Sequence, residues 1–133
     1  MSFPAESIPV TALYAGIMAI FACVLSAFSG PLRAKTGVAL GGGDDPRQLL
    51  AFRRHGNFLE WVTPLLVLFV VLELNGVSAT VLHTMGISLI VVRLFHAVGL
   101  KSDTIQGAGR TIGAAGSMLL TLIAAIWSIT TFF

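Results

Sequence analysis

Arg53-Arg54-His55-Gly56-Asn57-Phe58-Leu59-Glu60 runs directly into Trp61-Val62-Thr63-Pro64-Leu65-Leu66-Val67-Leu68-Phe69-Val70-Val71-Leu72. A polar cluster thus passes without a break into an apolar run. An ionised side chain at the centre of a membrane helix costs about 2.5–3.5 kcal/mol on insertion scales, so such groups sit near an interface, face a polar cavity or pair with one another. The junction predicts one helix that begins in a polar setting and continues through lipid. It is also the first place to look for chemistry.

The rest of the chain supports a membrane setting. Of its 133 residues, 56% are hydrophobic and 11% charged, against roughly 25% charged in an average soluble domain. Mean hydropathy is +0.91. The single cysteine, Cys23, lies in the first apolar run, which excludes a disulfide within a subunit and any zinc-type cysteine spacing. The basic balance, with a pI of about 9.2, does not point to nucleic acid. The eight lysines and arginines are scattered among apolar stretches and make no continuous basic face.

Four spans are expected at 8–29, 47–74, 77–100 and 111–133, near the ~20 residues that cross ~30 Å of hydrocarbon. Together they form an all-α, single-domain bundle. The second span starts near Arg47, with Asp44 or Asp45 as its cap and Pro46 in its first turn. Residues 31–46, rich in turn formers, read as a loop. Its glycines lack the Gly-Lys-Ser/Thr ending of a phosphate loop. Asn75-Gly76 is a tight connection that makes the two central helices neighbours. Gly109, Gly113, Ala114 and Gly116 are read as a surface for close helix packing rather than as a dinucleotide fingerprint.

The basic residues gather around the first and third connections: Arg33, Lys35, Arg47, Arg53 and Arg54, then Arg93, Lys101 and Arg110. The positive-inside rule places those connections in the cytoplasm, with both termini and the Asn75-Gly76 turn on the far side. The N-terminus has no basic region and no small-residue cleavage pattern ahead of its apolar segment. It is therefore read as a retained first helix, with the mature chain starting at Met1.

At 100° per residue, Arg53, Asn57, Glu60 and Pro64 fall at about 0°, 40°, −20° and 20°, one narrow polar stripe. Arg54 and His55 point elsewhere, towards headgroups or another helix. Arg93 and His96 share a face on the third span, and Arg110 opens the fourth. Three arginines near one glutamate leave a surplus of cation, which suits an anionic ligand held by guanidinium–carboxylate pairs. In that setting Glu60 and Asn57 receive an ammonium or amide. Structural pairing of Arg53 with Glu60 is the competing reading. His83 is read as an interface residue with no polar neighbour at helical spacing, and Glu73 as reaching water at the turn.

Arg53-x-x-x-Asn57-x-x-Glu60-x-x-x-Pro64 resembles the second-helix signature of the MAPEG family, the membrane-associated proteins in eicosanoid and glutathione metabolism. Arg93-Leu94-Phe95-His96 is similar to its third-helix element, and Arg110 falls where the family has its fourth-helix arginine. The resemblance spans Pro31 to Trp127 and is closest to the small bacterial inner-membrane branch. It implies a homotrimer that holds glutathione as co-substrate between subunits near the cytoplasmic surface. By that analogy Arg33, Arg53, Asn57, Glu60, Arg93 and His96 bind the tripeptide, Thr111 supplies a hydroxyl, and Arg110 stabilises the thiolate as the catalytic residue. Conjugation of hydrophobic electrophiles or reduction of lipid hydroperoxides follows from such a thiolate.

The chain departs from enzymatic members in having Tyr14 as its only tyrosine. Trp61 and Leu100 stand where tyrosines are usual. This favours a second reading, a non-catalytic lipid-binding or scaffold member of the same fold. A third is a small transporter in which Glu60 couples proton movement to a hydrophobic cation, against which the flanking arginines argue.

Overall fold

A computed structural model describes residues 8–101 and 107–133. The expectation that the mature chain starts at Met1 lies outside the described residues. Four helices follow one another: α1 (Pro9–Thr36), α2 (Pro46–Leu74), α3 (Ala79–Gly99) and α4 (Ala108–Thr130). All four are long and apolar enough to cross a membrane. With 28 and 29 residues, α1 and α2 are each roughly 40 Å long, more than the ~30 Å hydrocarbon core, so both overhang it.

The expected loop at 31–46 is shorter in the structure. Helix α1 passes through Pro31 to Thr36 and ends on Gly37 in the left-handed region, φ 70°, whose N–H donates to the Arg33 carbonyl. Pro31 takes one backbone donor from the helix, a loss that membrane helices tolerate. The true stop is the glycine, which adopts this conformation without steric cost. Of the two candidate caps for α2, Asp45 is the one used. Its carboxylate accepts from the Arg47 N–H, and Pro46 occupies the first turn. The Arg47 guanidinium beside it holds the Asp45 carboxyl down at about 2, so the cap stays ionised at neutral pH. Helix α4 starts three residues earlier than the expected Thr111, which places Arg110 inside its first turn.

Packing pairs the helices in a way the short turn does not suggest. Helix α1 lies along α2 and α3 along α4, with a further seam between α2 and α4, whereas α2 and α3 meet over a small area despite the Asn75-Gly76 connection. The α3/α4 seam rests on glycine. A Cβ at Gly113 would lie 2.6 Å from the His96 Cα, and one at Gly109 would lie 3.0 Å from the Phe95 carbonyl oxygen. The small-residue stripe therefore brings α4 onto α3 as expected. Tyr14, Met18, Phe58, Leu65, Phe69, Leu72, Leu82 and Leu89 fill the core.

The Asn75 end of the bundle is closed by a clasp. Helix α1 has no side-chain cap of its own, and Glu73 supplies one from α2. Its carboxylate accepts from the Val10 N–H at 3.0 Å and from the Thr11 N–H at 2.7 Å. An acid is unfavourable at the C-terminal end of its own helix, but the N-terminal amides of α1 reverse the local sign. Glu73 thus caps α1 while staying part-exposed at the turn, a second role that its place in the sequence does not reveal. Beside it the Tyr14 hydroxyl donates to the His83 carbonyl oxygen at 3.1 Å and lies 3.1 Å from the His83 Nδ1. His83 therefore has a polar neighbour, on a different helix, that helical spacing does not reveal. Gly86 leaves the space the Tyr14 ring occupies.

Candidate functional site

The site is built at the opposite end of the bundle around Arg93, which is 1% exposed. A fully buried guanidinium needs acceptors, and here they are neutral. Nη1 donates to the Ser117 hydroxyl at 3.0 Å and Nη2 to the Asn57 Oδ1 at 2.9 Å. The His96 Nδ1 lies 3.4 Å from Nη2. The guanidinium carbon stands 5.6 Å from the centroid of the Phe58 ring, a favourable face for a cation. The Ser117 hydroxyl donates its own hydrogen bond to the Gly113 carbonyl, which leaves a lone pair for Arg93. One arginine thereby ties α2, α3 and α4 together.

This tie fixes the chemistry of Asn57. With its oxygen turned to Arg93, its NH2 is the end left for a ligand. Asn57 therefore offers a donor where an acceptor for an ammonium was anticipated. It lines a cavity of about 600 Å³ with Arg53, His96, Lys101, Arg110 and Asp44. Among the described residues three cations against one carboxylate line that cavity, a surplus of positive charge that suits an anion.

The structure sorts the eight expected site residues into groups. Arg53, Asn57, His96 and Arg110 share the cavity. Arg93 stands behind it and orients Asn57. Glu60 lies outside, 3.7 Å from Arg53, with both side chains about half exposed. Thr111 lines a second, more apolar cleft of about 460 Å³ with Trp61, Ala114, Ala115 and Met118, and Arg110 lines that cleft too. Arg33 is not brought to the cavity. Its guanidinium donates to the carbonyls of Val38 at 3.2 Å and Ala39 at 3.0 Å, where it closes the turn after α1.

Two contributors escape a reading of the sequence. Ser117 is one small residue in an apolar span, and its only signal is its place four residues after Gly113, on the stripe that faces α3. Lys101 reaches the cavity from just beyond α3. Arg54 finds a definite partner, donating to the Leu100 carbonyl at 2.7 Å, and does not simply extend to solvent.

The MAPEG family model matches residues 11–130. The chain belongs to the MAPEG family. Two curated relatives, each called Inner membrane protein YecN, come from Escherichia coli strain K12 and from Escherichia coli O6:H1. Both are 31% identical to this MAPEG chain over 119 residues, 89% of its length and 91% of theirs. No solved structure matches it.

Proposed function

We propose that this MAPEG member binds glutathione as a thiolate in the Arg53/Asn57/Arg110 cavity and delivers its sulfur to a hydrophobic electrophile or lipid hydroperoxide. One observation carries the reading: Arg110 lines both the polar cavity and the apolar cleft beside Trp61. A guanidinium at that junction lowers the pKa of a thiol placed next to it and holds the resulting anion where an apolar co-substrate arrives from the bilayer. The surplus of donors and cations in the lining suits the two carboxylates of the tripeptide.

A single subunit leaves the site open. The Arg53–Glu60 pair is half exposed at helical depth and Arg33 lies elsewhere, which supports a homotrimer in which a neighbouring subunit covers the pair and contributes its own arginine. The relatives' name supports an inner-membrane location, and the distribution of lysine and arginine supports an orientation with the basic connections in the cytoplasm and both termini opposite. Trp61 in the cleft favours the second reading, a non-catalytic lipid-binding or scaffold protein, because it fills the electrophile's side with ring rather than hydroxyl.

Calorimetry of detergent-purified protein with glutathione, together with the ultraviolet absorbance of the thiolate, tests the proposal. Wild type is expected to bind saturably with a thiolate signal. Arg110→Ala is expected to lose that signal and to bind about 10- to 100-fold more weakly, the worth of one charge-assisted hydrogen bond. No binding at millimolar glutathione overturns the enzyme reading and leaves the lipid-binding one.

A further inference from the structure

A second concavity exceeds the proposed glutathione cavity in volume. It is a groove of about 790 Å³ on the other side of α2, floored by α2 and walled by α1 and α3, and Leu50 separates it from the polar cavity. Arg53 and Arg54 divide between the two, Arg53 entering the cavity and Arg54 the groove, as their ~100° separation on the helix requires. The walls are apolar, with Phe21 and Phe28 from α1 and Leu94 and Val98 from α3. Phe28, Leu94 and Val98 are 66%, 49% and 75% exposed, so no described element of the subunit covers them. Ala27 and Pro31 also line it.

Charge is confined to the basic end of the groove. Lys35, Arg47 and Arg54 line it, and among the described residues no carboxylate does. Arg47 is neutralised by Asp45 at 2.8 Å. Lys35 and Arg54 have no carboxylate within ion-pair distance among the described residues. Arg54 uses Nη2 on the Leu100 carbonyl, and its Nε has no acceptor among the described residues. Among the described residues, two cations at the mouth of an apolar slot therefore lack a counter-anion. From Lys35 to Phe21 the slot follows α1 for roughly 21 Å, longer than the ~15 Å of one leaflet's hydrocarbon.

We propose that this groove is a specific site for an anionic phospholipid of the leaflet on the basic side, one acyl chain lying between α1 and α3 and the phosphate held by Lys35 and Arg54. A zwitterionic lipid has the same chain but brings its own cation to the phosphate. Charge complementarity therefore selects the anionic headgroup. The site is separate from the glutathione cavity and does not depend on its occupancy.

Native mass spectrometry of the full-length protein in detergent, with added dioleoylphosphatidylglycerol or dioleoylphosphatidylcholine, reads the site directly. Wild type is expected to retain the glycerol lipid at least tenfold better than the choline lipid. The double variant Lys35→Gln/Arg54→Gln is expected to lose that preference. Ala27→Trp, at an exposed position in the groove, is expected to lose both lipids while keeping both cations, and it carries the test if the charge variant does not fold. Glutathione binding by both variants is expected to match wild type, which separates failure here from failure of the proposed activity. Three results overturn the proposal: equal retention of the two lipids by wild type, a preference that survives in the charge variant, or cross-linking from a cysteine placed at Ala27 into a second copy of the chain.

Discussion

The two ends of the bundle treat polar groups in opposite ways. At the Asn75 end, Glu73 meets two backbone amides and Tyr14 meets His83. Donors and acceptors there satisfy one another, and the result is a fastening. At the Arg93 end, the buried guanidinium consumes the acceptors of Asn57 and Ser117, so that the neighbouring cavity keeps donors and cations in excess. The difference separates polar residues that hold the fold from those that wait for a ligand. What matters is which partners are left over, more than burial or charge alone.

The comparison breaks most visibly at Arg93. Arg93→Ala removes the tie between three helices, leaves a cavity and strips Asn57 of its partner. A loss of about 2–4 kcal/mol is expected, read as a lower melting temperature in detergent. Glutathione binding is expected to weaken as well, because the Asn57 amide is no longer held with its NH2 outward. An unchanged melting temperature would sink the account of Arg93 as the tie. A smaller effect is expected from Glu73→Gln, which keeps the shape but removes the charge that caps α1. Stability is expected to fall by about 1 kcal/mol, with glutathione affinity unaltered. A change in affinity would mean that the two ends are not independent. Glu60→Gln has the least effect on the subunit, within about 0.5 kcal/mol, because a half-exposed pair at 3.7 Å is weak and screened. Cross-linking of that variant shows whether Glu60 matters between subunits instead.

Much of this arrangement was legible in the sequence. The second-helix stripe, the pairing of Arg93 with His96 on one face and the glycine-lined approach of α4 all follow from helical periodicity, which survives folding. The partners that come from other helices did not follow. Tyr14 with His83 and Arg93 with Ser117 are separated by 69 and 24 residues, and nothing local marks a serine in an apolar run as an arginine's acceptor. The loop expected at 31–46 is partly helix because α1 runs on through Pro31 to Thr36, a missing donor that a membrane helix tolerates. The Asn75-Gly76 turn misled as a sign of packing, since a short connection joins two helices without determining how much surface they share. Arg33 kept its expected place at the end of α1, but the turn after that helix takes its guanidinium within the subunit.

The Glu73 clasp bears on how the chain enters a bilayer. The residues it joins are 62 and 63 positions apart, so the start of the first span has no cap until the end of the second has crossed the membrane. Until then two amide donors of α1 lack this acceptor. The capping of the first span is therefore conditional on the second, and the two helices form one hairpin whose open end is fastened by its last turn rather than by its first.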